Sequence, residues 1–217
     1  MQKKILIIIT LLNCYNCFAQ TQFSIFAGPQ AVSARYTVND TKQPNQYKYG
    51  LEAGINWKIP FDVNLFFAPA IYYSMKGYKV TLNDAAFPPS LFAKNNDARL
   101  HAFDFAPLLQ YDFGKHPSHL FIRIGPAVDV IFSGNEEFDL STGETISRKM
   151  KFTFGDYGRF TSNVIVHLGY ESLTGFIIFA HYTYGLGSLN NADGGPKIKH
   201  RIFGLSVGKY LRKKRKE

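Results

Sequence analysis

The chain has 217 residues, 46% of them hydrophobic and 16% aromatic, with a formal net charge of +9. That length suits one all-β domain or two small ones, and no Gly/Ser-rich or Pro-rich stretch divides it, so a single domain is expected. With two cysteines, and with the basic excess gathered into Lys209, Arg212, Lys213, Lys214, Arg215 and Lys216, neither a disulfide framework nor a basic nucleic-acid-binding face organises the molecule.

The opening "MQKKILIIITLLNCYNCFAQ" places Lys3 and Lys4 before an apolar run from Ile5 to Leu12, with small residues at Cys17 and Ala19. The run is too short for a membrane span, which needs ~20 apolar residues, and reads as a secretory signal peptide over 1–19. Cys14 and Cys17 each follow an asparagine, where lipid attachment requires a small residue. Cleavage after Ala19 removes both thiols, and with them any Cys nucleophile or Cys-ligated zinc. The domain is then 20–211, followed by a basic tail over 212–217 that is expected to be solubilising and periplasmic.

Apolar residues then alternate with period two, predicting strands at about 22–36, 47–59, 62–79, 98–113, 119–134, 157–171, 173–186 and 199–211. They exceed the usual globular length of about 5–6 residues and suit a tilted bilayer crossing of ~9–11. Connections alternate too. The second, fourth and sixth are a few residues, such as "PF" and "GKHPS", whereas those near 37–46, 80–97, 135–156 and 187–198 are long. Short turns on one rim and long loops on the other predict an all-β, eight-stranded, antiparallel up-and-down transmembrane β-barrel with both termini in the periplasm.

One parity carries Leu51, Ile55, Trp57, Phe67, Ile71, Phe103, Phe105, Leu109, Ile122, Ile124, Val128, Val164, Leu168, Ile178, Phe203, Leu205 and Val207, with no charge among them. The other is rich in Gly, Ala and Ser, and its charges are Glu52, Asp104, Arg123 and Asp129. An eight-stranded barrel is only just wide enough inside for side chains to fill it, so the small, polar set is expected in the lumen and the bulky set against lipid. Trp57, Tyr111 and Tyr170 fall near the short-turn ends and Tyr49, Tyr73, Tyr182 and Tyr184 near the long-loop ends, as two aromatic girdles.

The segments "YGLEAGINWKI", "FFAPAIYYSMKGYKV", "FDFAPLLQYDF", "FIRIGPAVDV" and "FAHYTYGLGSLNN", with the closing strand, resemble in order and spacing the PorT-type outer-membrane β-barrel family of Gram-negative bacteria. The resemblance implies an eight-stranded barrel and carries over no catalytic residues and no agreed substrate; no cofactor is expected. Some relatives are linked to secretion or gliding machinery, which implies a partner-binding role.

Four prolines, Pro29, Pro69, Pro107 and Pro126, lie six or seven residues from the short-turn ends. Because proline removes a ladder hydrogen bond, a belt of bulges or kinks at one height is expected. Glu52, Asp104, Arg123 and Asp129, with Lys58 and Lys76, either line a conduction path or pair into a plug. An unpaired charge in so narrow a lumen is costly, so a plug centred on Arg123 is the expectation. His181 and Thr183, with His167, suggest a lipid A hydrolase, but their parity turns them into the lumen, where neutral histidines hydrogen-bonded to neighbours are expected. No metal-ligand spacing, phosphate-cradling loop or nucleic-acid motif occurs.

The third long loop alternates around "STGE", as if its flanking strands continued as a hairpin. With Phe87, Leu91, Phe92 and Phe138 it is a candidate contact surface, the alternative being a solvated loop. The expected function is thus a non-enzymatic outer-membrane barrel with a filled lumen, acting as a structural, adhesion or accessory component through its loops or rim. Its expected partners are lipid, including lipopolysaccharide, and a protein bound by extracellular loops or periplasmic tail. The alternatives are a narrow porin-like channel for small solutes and a lipid-modifying enzyme.

Overall fold

A computed structural model describes residues 21–114 and 116–211; the expected signal peptide and basic tail lie outside the described residues. Eight long strands form one sheet: β1 (Gln22–Val38), β2 (Lys48–Pro60), β3 in two pieces (Leu65–Phe67 and Ala70–Thr81), β4 in two pieces (Asn95–Ala106 and Leu109–Phe113), β5 (His119–Asp139), β6 (Phe160–Glu171), β7 (Phe176–Gly185) and β8 (Lys197–Tyr210). Each pairs antiparallel with its chain neighbour. β8 returns to β1, from Ser24 opposite Tyr210 to Thr37 opposite Lys197. The sheet therefore closes as an eight-stranded up-and-down barrel, which leaves no free edge.

The two faces separate by parity. Ile25, Leu51, Phe67, Phe105, Leu109, Ile124, Val128, Leu168, Ile178, Leu205 and Val207 form an exposed apolar outer wall. The inner face is more layered than its many small residues predict. Nearest the short turns, Lys58, Asp112, His119 and Glu171 are buried together. Above them lies an apolar layer that includes Phe26, Tyr72, Leu108, Phe121, Ile165, Phe179 and Tyr210. A polar layer follows, with Gln30, Glu52, Ser74, Lys76, Asp104, Asp129, His181 and Ser206.

Glycine is what admits large rings to a narrow interior. A Cβ on Gly54 would sit 2.5 Å from the Ile71 carbonyl oxygen and the Tyr72 Cα, and one on Gly204 would sit 2.6 Å from His181 Nε2. No side chain fits at either place.

β1, β3, β4, β5 and β8 carry a second apolar core at the long-loop end: Tyr36, Val38, Tyr78, Val80, Leu82, Phe138, Met150, Tyr157, Leu189 and Ile198. Short segments build this head. Asn39 and Asp40, at φ 46 and 61, make the two-residue turn that folds Thr41–Lys42 back on β1. Thr145–Lys149 folds back on the end of β5 as the hairpin expected around "STGE".

The prolines do not bulge the strands, which corrects the first of the two expected alternatives, bulges or kinks. The pairing register is the same on both sides of Pro69, Pro107 and Pro126. They interrupt the ladder instead, because proline has no N–H. By that register Pro69 faces Pro107 and Pro107 faces Pro126, whereas Pro29 stands apart, opposite Leu51. The register shift lies elsewhere, where His101–Ala102 of β4 spans Ser133 to Ile131 of β5 and leaves Phe132 as the extra residue. Past this bulge the parity of β5 reverses, so Gly134, Glu136 and Phe138 turn inward.

Candidate functional site

The lumen charges meet, but not around Arg123. Lys76 of β3 is their centre, with its Nζ 2.6 Å from Asp129 Oδ2 and 2.9 Å from Asp104 Oδ2. Thr161 and Asn163 of β6 donate to Asp129, both at 2.7 Å. Glu52 is tied to Ser206 Oγ at 2.6 Å. Arg123 is fully buried but makes no carboxylate pair among the described residues. Its Nε donates to Gln110 Oε1 at 2.6 Å, its Nη2 to the Tyr210 hydroxyl at 3.4 Å, and its guanidinium lies 4.4 Å from the Phe121 ring centre. An arginine can be housed by planar stacking and neutral acceptors because its charge is delocalised.

The histidines correct another expectation. His167 stacks on Phe179 at 4.8 Å, but its Nδ1 and both ring nitrogens of His181 have no hydrogen-bond partner. His181 Nδ1 stands 3.2 Å from Glu52 Oε1, the oxygen that accepts from Ser206. Serine activation requires the histidine to accept the hydroxyl proton. Here the serine is committed to the glutamate, so this trio is not ordered for hydrolysis.

A second cluster closes the short-turn end. Lys58 Nζ is 2.6 Å from Asp112 Oδ2 and 2.8 Å from Glu171 Oε2, and His119 Nε2 is 2.9 Å from the same Asp112 oxygen. Of these four only Lys58 was singled out by sequence reasoning. Asp112 is next to last in β4 and Glu171 is last in β6, and the alternation runs through both. Leu109, Tyr111, Leu168 and Tyr170 are exposed while Gln110, Asp112, Gly169 and Glu171 are buried, so following parity to the strand ends was the signal that would have found them.

On the outer wall Tyr49, Tyr111, Tyr170, Tyr182 and Tyr184 are exposed. Trp57 packs on Phe23 at 5.6 Å, and the Tyr73 hydroxyl meets His101 Nδ1 at 2.6 Å. Near the long-loop rim a groove of about 580 Å³ is lined by Arg35, Lys42, Tyr47, Tyr182, Tyr184 and Arg201, among others. Arg201 stacks on Tyr184 at 3.5 Å and donates to the Gly185 and His200 carbonyls.

The head is internally braced. Glu136 accepts from the Tyr157 hydroxyl at 2.6 Å and Arg148 Nε at 2.8 Å, while Tyr36 and Arg148 donate to the carbonyls of Pro88 and Pro89. Burial holds the Tyr157 phenol well above its ordinary pKa, so it remains a donor to Glu136. On this base Phe87, Leu91 and Phe92 are exposed, Phe92 at 69%. Phe138, expected beside them, is 2% exposed because the β5 bulge turns it inward. Phe154, at 94% exposed, was not singled out in advance.

A closed eight-strand barrel with an apolar outer wall, aromatic rims and a filled lumen defines an integral transmembrane β-barrel of the outer-membrane kind. The chain belongs to the outer membrane protein beta-barrel domain family, which matches residues 18–191. No curated protein matches the sequence significantly. Among solved structures it is similar to Ail, the attachment invasion locus protein of Yersinia pestis (15% identity, covering 88% of this chain and 99% of that one, TM-score 0.45). It is also similar to Neisserial surface protein A (14%, 87% and 97%, 0.45) and to the N-terminal β-barrel domain of Pseudomonas aeruginosa OprF (15%, 88% and 100%, 0.34).

Proposed function

We propose that this outer-membrane protein is a non-enzymatic, non-conducting barrel that presents its long-loop head outside the cell as an adhesion, structural or accessory surface. Its termini then lie in the periplasm, as the short-turn rim requires for bacterial barrels. The observation that carries the reading is the filled lumen: charged, aromatic and polar layers are stacked beneath an apolar head core. The finer PorT-type assignment rests on the order of the quoted segments and implies a protein partner.

The contact surface is the exposed set Phe87, Leu91, Phe92 and Phe154, held on a braced head. The rim groove with Arg35, Lys42 and Arg201 suits lipopolysaccharide phosphates, since guanidinium forks match phosphate oxygens. Single-channel recording in planar bilayers tests the main reading. Negligible conductance is expected, and large, stable currents would favour the narrow-channel alternative. Lipid A chain number by mass spectrometry, with and without the gene, tests the enzyme alternative, and no change is expected.

A further inference from the structure

We propose that Asp112, His119 and Glu171 form a binding site for a divalent transition metal of the zinc class, whose place Lys58 takes when the metal is absent. Nothing in the spacing along the chain suggests it; strand pairing creates it. Glu171 of β6 is the direct register partner of His119 of β5, and Asp112, next to last in β4, faces Phe121 of β5. The three side chains offer donor atoms that all lie within 4.8 Å of one another, an imidazole and two carboxylates of the kind zinc accepts.

The orientation of His119 points to a ligand. Its Nδ1 lies 2.9 Å from the His116 carbonyl oxygen, which can only accept. Nδ1 therefore carries a proton, and Nε2 is the ring nitrogen directed at the carboxylates. Metal-bound histidines are commonly fixed in this way by a backbone carbonyl. Nε2 is buried and makes no hydrogen bond, although Asp112 Oδ2 is 2.9 Å away and Glu171 Oε2 3.4 Å away. A divalent cation shared among all three would take the place of the Nε2 proton and of the Lys58 ammonium that now face these carboxylates.

Asp112 is prepared likewise. Its Oδ1 accepts from Gln110 Nε2 at 2.6 Å, and Gln110 Oε1 in turn accepts from Arg123 Nε at 2.6 Å. This outer chain occupies Oδ1 and leaves Oδ2 to face Lys58 and His119. Lys58 now supplies the positive charge, touching one oxygen of each carboxylate. Its Nζ also lies 4.4 Å from the Phe66 ring centre and 6.0 Å from that of Tyr210, aromatic faces on which a displaced ammonium can rest. A bound metal would link the ends of β4, β5 and β6.

The test uses the full mature chain, tag-free, refolded in detergent micelles, stripped with chelator and titrated with zinc chloride by calorimetry. Folding is checked by heat-modifiable gel mobility, and no step depends on which rim faces the periplasm. One zinc per chain is expected. Lys58→Met should bind at least about tenfold tighter because the competing ammonium is gone, and His119→Ala should abolish binding in either background. Should His119→Ala fail to refold, Glu171→Gln must weaken binding by about tenfold or more. The proposal is overturned if the unmodified chain takes up no zinc at millimolar concentration, even if Lys58→Met does. It is equally overturned if removing His119 or the Glu171 charge leaves binding unchanged, or if Lys58→Met weakens it.

Discussion

Asp104 and Asp129 stand directly opposite each other across the β4–β5 ladder, like charges on facing positions deep in the lumen. Such a pair is destabilising by itself. Lys76, reaching in from β3, contacts both carboxylates and makes the arrangement tenable. The lysine is therefore the member whose loss should be felt most. Lys76→Met leaves two buried carboxylates without a cation and is expected to destabilise the barrel by about 3–5 kcal/mol. Asp104→Asn leaves Lys76 and Asp129 as a balanced pair and should be near neutral. Urea unfolding in micelles measures both, and equal effects would contradict the assignment of Lys76 as the centre.

The ring-and-glycine fit of the lumen predicts a different kind of failure. Gly54→Val places branched carbon against the Ile71 carbonyl and the Tyr72 backbone. Backbone cannot move aside as a flexible side chain can, so the cost should reach or exceed the about 1–3 kcal/mol typical of overpacking. The expected result is a chain that shows little heat-modifiable, folded barrel on gels, while Gly143→Ala, in an open turn with nothing near its Cβ position, keeps most of it. The turn glycine has φ +93, so a modest loss is expected there from backbone strain alone.

In the head, burial and the nearby Glu136 hold the Asp156 carboxyl above its ordinary pKa, and its Oδ1 is buried without a hydrogen-bond partner. The folded head thus binds this proton more readily than the unfolded chain does. The associated stability is fully present below the ordinary carboxyl pKa of about 4 and is lost as pH rises through the higher folded value. Hydrogen exchange of the head should show protection falling as pH rises through that window, after correction for intrinsic exchange rates. Asp156→Asn should flatten the dependence and raise protection at neutral pH. A dependence of the opposite sign would contradict this account of Asp156.

The rim groove carries its own expectation. Reversing charge with Arg35→Glu and Arg201→Glu should reduce lipopolysaccharide carried through purification, read by native mass spectrometry, with gel mobility unchanged. Arg201→Lys should recover only part, because an ammonium lacks the planar fork that both stacks on Tyr184 and bridges phosphate oxygens. Full recovery with lysine would assign the contact to charge alone.

Much of this architecture is legible in the sequence because alternation with period two reports a wall between lipid and lumen directly. Leu51, Ile124 and Leu205 declare their side without reference to any partner, and the strand ends fall within a few residues of the expected ones. What escapes is set by closure. Asp112, His119 and Glu171 are unremarkable along the chain and become a cluster only when β4, β5 and β6 are in register. The bulge at Phe132 reverses the parity of β5, which is why Phe138 is inside and not among the exposed phenylalanines. Arg123 looked like the natural centre of a charge plug, yet an arginine is accommodated by rings and a neutral amide where a lysine needs carboxylates.

The central claim is that the bulky parity of every strand meets acyl chains while the lumen parity is sealed from solvent. Spin labels at Phe67, Ile124 and Leu205, in vesicles, test it most directly through collision rates with oxygen and with a water-soluble nickel chelate. The account predicts high oxygen and low chelate accessibility at all three positions, with a depth profile that places Ile124 inside the hydrocarbon. High chelate accessibility there, or labels immobilised in a packed apolar interior, would contradict it.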